Sequence, residues 1–138
     1  MDLKECLRKG MIRKTRIDHE LIKSLIEMSE IKKKTVETAD VNEYNISAYV
    51  SLAYDSLREV LEGLCILKGY KVLSHVCVGE LLKKEIPDFD YNQFDRIRWI
   101  RNSINYYGEK VDFMQGKEII KKIFNMKFNV VKNHLKSI

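Results

Sequence analysis

The segment Arg101-Asn102-Ser103-Ile104-Asn105-Tyr106-Tyr107-Gly108 gathers a guanidinium, two amides and two phenols between Ile100 and a glycine. Arginine suits planar, two-pronged recognition of phosphate, amides orient a phosphodiester or a sugar hydroxyl, and a tyrosine ring stacks on a base. The chemistry suggested is nucleotide or RNA handling. On a helix, with a step of about 100° per residue, Arg101 comes beside Asn105 and Asn102 beside Tyr106. These five residues, Arg101, Asn102, Asn105, Tyr106 and Tyr107, are the candidate binding set. A competing reading of the same residues is structural: Arg101 pairs with a neighbouring helix and the tyrosines close the end of the core.

Little else in the chain carries chemistry. His19, His75 and His134 are scattered singly, so no metal site is expected, since zinc needs clustered ligands at recognisable spacing, and no cofactor is called for. Cys6, Cys65 and Cys77 form no Cys-x-x-Cys pair, and the last two sit among Leu64, Ile66, Val76 and Val78. Buried, reduced thiols are the expectation. The charged start Met1-Asp2-Leu3-Lys4-Glu5-Cys6 reads poorly as a signal peptide, and no apolar run approaches the roughly 18 residues of a membrane span. A cytoplasmic protein with no membrane contact is expected.

Charge is unevenly spread. Net charge is +2 over residues 1–40, −4 over 41–95 and +7 over 96–138, so the basic excess lies around and after Arg101. That distribution favours a phosphate-bearing partner. The alternative is a solvated lysine face, with Lys117, Lys121, Lys122, Lys127, Lys132 and Lys136 on one amphipathic helix.

The elements that must position the cluster read as helices. At 138 residues the chain makes one domain, and six glycines and one proline leave few places to turn. Helices are expected over about 3–9, 18–38, 44–68, 74–84, from Asp88 or Asp90 to Gly108, and over about 117–135. Val50, Ala53, Leu57, Val60, Leu61, Leu64 and Leu67 make the third the main core element, and its small residues Ser47, Ala48, Ser51, Ala53 and Ser56 allow close approach. No alternating run argues a strand, and Arg13-Lys14-Thr15-Arg16 reads as a basic turn. The fold class expected is all-α, an up-and-down bundle of four long helices with two short ones added.

The stretch Ala48-Tyr49-Val50-Ser51-Leu52-Ala53-Tyr54-Asp55-Ser56-Leu57-Arg58-Glu59, the ending Leu67-Lys68-Gly69-Tyr70 and the late Arg101-Asn102 together resemble the HEPN family of nucleotide-binding helical domains. The likeness runs over residues 15 to 135. It implies a helical homodimer, in many cases paired with a minimal nucleotidyltransferase in toxin–antitoxin or defence systems, and in others a metal-independent RNase. The family's ribonuclease motif is an arginine, often followed by an asparagine, and then a histidine after about four to six further residues, and Arg101 and Asn102 match its start. Here Tyr106, Tyr107 and Gly108 fill the positions where it would fall. A phenol of pKa about 10 is a poor proton acceptor at neutral pH, and losing acid–base assistance costs about 10²–10⁴ in rate.

Three functions are therefore compatible with the sequence. One is a non-catalytic dimer that binds nucleotide or RNA through Arg101, Asn102, Asn105, Tyr106 and Tyr107. Another is a ribonuclease with a divergent site, in which Tyr106 or a recruited His75 manages protons. The last is a structural or regulatory dimer without a ligand. Neither His75 nor His134 stands at a spacing that makes it a helix neighbour of Arg101.

Overall fold

The computed structural model describes residues 1–136 and is mostly helical: α1 (Leu3–Arg8), α2 (His19–Glu37), α3 (Ile46–Leu67), α4 (His75–Glu85), α5 (Tyr91–Tyr107) and α6 (Phe113–Val130), continued by a π-helical turn over Val131–Leu135. Aspartates set most helix starts. Asp2, Asp18, Asp90 and Asp112 each accept a backbone N–H of the following turn, meeting donors that a helix leaves free at its beginning. Asp112 starts α6 four residues earlier than the sequence pattern suggests, at Phe113 in place of Lys117. At the far end of α5, Gly108 takes the left-handed conformation (φ 65°) that stops the helix, its N–H bonded back to Ser103.

α3 is the centre. Val50, Ala53, Tyr54, Leu57, Val60, Leu61 and Leu64 are fully enclosed, and α2, α4, α5 and α6 all pack on it. Its small residues are used within the chain. Ser29 of α2 donates to the Ser56 carbonyl at 2.6 Å, the Val111 N–H donates to Ser47 Oγ at 3.0 Å, and Ser51 meets Asn105 of α5. The apolar face of α3 is therefore spent inside the chain. Large exposed side chains lie elsewhere: Leu21, Met28 and Ile31 on α2, Trp99, Tyr106 and Tyr107 on α5, Met114 and Phe128 on α6.

Two sequence expectations are corrected. A two-stranded antiparallel ribbon pairs β1 (Ile12–Lys14) with β2 (Tyr70–Val72), in the register Ile12↔Val72, Arg13↔Lys71 and Lys14↔Tyr70. Three-residue strands are too short to show alternation, so the basic stretch read as a turn. Its first two residues, Arg13 and Lys14, are exposed ladder positions, while Ile12 and Val72 point to the core. The second correction concerns sulfur. Cys6 of α1 and Cys77 of α4 form a disulfide, with Cα atoms 5.8 Å apart, and only Cys65 is a free buried thiol among the described residues. Burial, with Glu62 nearby, pushes the Cys65 thiol up to about 12, which keeps it protonated and unreactive.

Among the described residues no helix is long and apolar enough to cross a membrane.

Candidate phosphate-binding cleft

The two ridges expected on α5 exist, and the fold treats them differently. Arg101 is turned inward, its side chain 12% exposed, with the guanidinium carbon 5.4 Å from the centre of the Tyr54 ring and 5.8 Å from that of Tyr106. Asp55 lies 3.8 Å from Nη2. The Asn105 amide is assigned with its nitrogen donating to Ser51 Oγ at 2.9 Å and its oxygen accepting from Arg101 Nε and Nη2 at 3.2 and 3.3 Å, because the opposite assignment faces like groups with like. Arg101 and Asn105 thus form a closed network tying α5 to α3.

The second ridge borders a cleft, although the Arg98 side chain on it is no more exposed than that of Arg101, each at 12%. Asn102 and Tyr106 line a cleft of about 380 Å³ together with Arg98, one turn earlier, and with Leu73, Ser74, His75 and Val76 from the start of α4. Arg98 escaped the sequence reading, although extending the i, i+4 rule one turn back from Asn102 finds it. It is fixed by Asp95, which accepts from its Nε and Nη2 at 3.2 and 2.9 Å, and its guanidinium lies 5.5 Å from the Trp99 ring centre. Tyr106 links the two ridges through a long contact to Arg101 Nη1 at 3.4 Å. Tyr107 stands 75% exposed at the end of the helix and belongs to neither.

His75 is where sequence spacing misled. Its ring lies 5.7 Å from that of Tyr54, inside the same chain and on the same cleft as Asn102, so no second copy is needed to bring it near Arg101. Burial, then the charges of Arg58 and Arg101, pull its pKa down to about 4, with Asp55 opposing and Arg98 adding. It is a neutral ring at pH 7. His134 lies elsewhere, 3.2 Å from Asp88.

Behind the cleft, Tyr54 is fully buried and its hydroxyl has no hydrogen-bond partner among the described residues. Burial raises its pKa well above the ordinary value, against the pull of Arg101, Arg98 and Arg58. Arg58 is held by Glu62 at 2.9 Å. Three arginines and three carboxylates (Asp55, Glu62, Asp95) surround this region, yet the residues lining the cleft include no carboxylate. An anion entering it meets no carboxylate and several donors: the guanidinium of Arg98, the Asn102 amide, the Tyr106 hydroxyl and the free N–H groups of the first turn of α4, where Ser74 makes no side-chain cap.

The lysines of the basic C-terminal third do not line this cleft. Lys117 and Lys121 flank a groove with α2, Lys122 shares a groove with Arg96, and Lys127 is buried against α2. Among the described residues no three His, Cys, Asp or Glu side chains gather as a metal site. The chain matches no family model, no curated protein and no solved structure.

Proposed function

We propose that this protein is a HEPN-like helical module that binds the phosphate of a nucleotide or RNA without cutting it, in the cleft between α4 and the Arg98, Asn102 and Tyr106 stripe of α5. The observation that carries the reading is the composition of that cleft: a fixed guanidinium, an amide, a phenol and a helix start, with no carboxylate among the residues that line it. Arg101 and Asn105 act behind it, holding α5 on α3. In this reading the four longest helices, α2, α3, α5 and α6, form the up-and-down bundle of that family. The protein is a homodimer, with a minimal nucleotidyltransferase of a toxin–antitoxin or defence system as a partner.

Absence of cleavage rests on two features. The position of the family's motif histidine is Tyr106, whose phenol lacks the basic nitrogen of an imidazole. The imidazole that does reach the cleft, His75, is pulled down to about 4, which makes it a weak proton acceptor at neutral pH.

The test compares Arg98→Ala with the intact protein, using a single-stranded RNA oligonucleotide at two salt concentrations. Affinity falls by about tenfold and the salt slope shrinks by about one unit. A folded Arg98→Ala with unchanged affinity at both concentrations sinks the proposal. The wild type leaves RNA intact, whereas robust metal-independent cleavage lost in Arg101→Ala establishes the ribonuclease reading in its place. Light scattering checks the dimer, and a mass of 16.3 kDa at micromolar concentration refutes it.

A second reading is favoured by the enclosure of Arg101. A guanidinium that shares Asp55, Asn105 and two tyrosine rings within its own chain fits a structural role at the helix end. Under that reading Arg101→Ala destabilises the fold, and neither arginine affects RNA affinity.

A further inference from the structure

A second cavity, of about 140 Å³, opens where the loop between α4 and α5 meets the end of α6. Its floor is apolar. Ile86, Met126 and Val130 are buried there, and Phe89 forms part of the wall, its ring 5.8 Å from that of Phe94. Its rim is amide. Asn125, Asn129 and Asn133 descend one face of α6 and the π turn, and Gln93 faces them from the first turn of α5.

Asparagine is a weak helix former, and Asn125, Asn129 and Asn133 stand exposed along the cavity rim, where their amides are open to a ligand from solvent. Steps of four residues on an α-helix drift by about 40° each, so residue 133 would turn away from a cavity faced by residue 125. The wider π turn over Val131–Leu135 advances less per residue and counters that drift, keeping Asn133 and His134 on the cavity. The acids at the rim are already engaged. Asp90 caps α5 through the Gln93 N–H, and Asp88 meets His134 at 3.2 Å.

We infer that this cavity is a binding site for a single neutral nitrogen heterocycle of the nucleobase class, held edge-on by the Asn129, Asn133 and Gln93 amides over the apolar floor. A primary amide offers a donor beside an acceptor, the pairing that the edge of a nucleobase presents in return. The space takes on the order of ten non-hydrogen atoms, which fits one base with its sugar outside the mouth. Asp88 and Asp90 repel a phosphate, so the ligand enters without one in the cavity. This site shares no lining residue with the α4–α5 cleft, and it stands whether or not that cleft binds RNA.

The experiment is an NMR titration of the intact protein with adenosine and cytidine, up to about 10 mM, beside inorganic phosphate and glucose as controls. Side-chain amide signals of Asn129, Asn133 and Gln93 shift with a nucleoside and stay fixed with phosphate. Asn129→Leu, at an exposed position that leaves the helix intact, weakens that binding by about tenfold, and Arg98→Ala leaves it unchanged. Shifts confined to Asn102 and His75, equal response to glucose, no response to either nucleoside, or an Asn129→Leu variant that binds as well as the wild type each overturn the assignment.

Discussion

Two charged groups of this protein sit behind helices, and they differ in what lies in front of them. Lys127 of α6 is 5% exposed, and its ammonium donates to the Ser29 carbonyl at 3.1 Å and to Glu30 at 3.3 Å. Beside it Lys32 meets Glu59 at 3.1 Å, and Ser29 bonds Ser56. Each of these donors faces a protein acceptor, so the charge clamps α2, α3 and α6 together. Arg98 is as firmly held by Asp95, yet it fronts an open cleft with His75, Asn102 and Tyr106. A charge whose partners are complete is a fastening, while a charge that borders empty volume can still bind something.

The largest effect should come from the staple behind the open side. The disulfide joins α1 to α4, the wall of the cleft, across 71 residues of sequence. Reduction should lower stability by about 4 kcal/mol on the chain-entropy account. Thermal melts with and without reductant check this, and equal midpoints would show that the bridge contributes nothing.

The clamp side should tolerate apolar replacement but not truncation. Lys127→Ala leaves Ser29 and Glu30 without their donor and a void beneath α2, and should cost about 2–3 kcal/mol. Lys127→Met keeps the stem and should stay within about 1 kcal/mol of wild type. Gly116→Ala should cost a similar 1–3 kcal/mol, since its methyl runs into the buried Ile46 side chain. Denaturant midpoints separate the three, and equal losses for the Ala and Met variants of Lys127 would erase the contrast drawn here.

pH sharpens the open side. His75 has a folded pKa near 4 against an ordinary value of about 6.5, so below pH 6.5 the unfolded chain takes up a proton that the folded one refuses. Stability should be full above about pH 6.5, decline as pH falls towards 4, and level off below. For a partly buried ring the loss should be on the order of 1 kcal/mol. Comparing wild type with His75→Gln at pH 7 and pH 5 isolates it, and identical losses in both would remove His75 as the source. The smallest change in stability should come from Arg98→Ala, about 1 kcal/mol or less, since its ion pair with Asp95 lies within one helix and the truncation otherwise removes only the stem of a side chain that is 12% exposed. Its weakened RNA binding then reports function with the fold nearly untouched.

The helices were legible because their signals are local. The three- and four-residue apolar repeat of α3, the aspartates Asp18 and Asp90 at the starts of α2 and α5 and the left-handed Gly108 all act within a turn or two of where they are written. The pairs Arg101 with Asn105 and Asn102 with Tyr106 follow from the same helical step. What stayed hidden depends on elements far apart in sequence. Cys6 finds Cys77, and His75 finds Tyr54, only because α4 folds back over α3 and α5. Lys127 looked like one more lysine of a solvated face, and nothing in its neighbours reveals that Ser29 and Glu30 wait opposite. Periodicity likewise gives no sign of the π turn that breaks it.

The ribbon of β1 and β2 carries a consequence for the order of assembly. It joins Ile12 to Val72, whereas α2 and α3 are neighbours linked by a short loop, so the helical pair can form while the ribbon awaits closure of a long segment. The disulfide encloses that same segment. In an oxidised chain the long closure is already made before collapse begins, so refolding should be faster oxidised than reduced. The ribbon should accordingly be the first pairing to open when the reduced protein fluctuates.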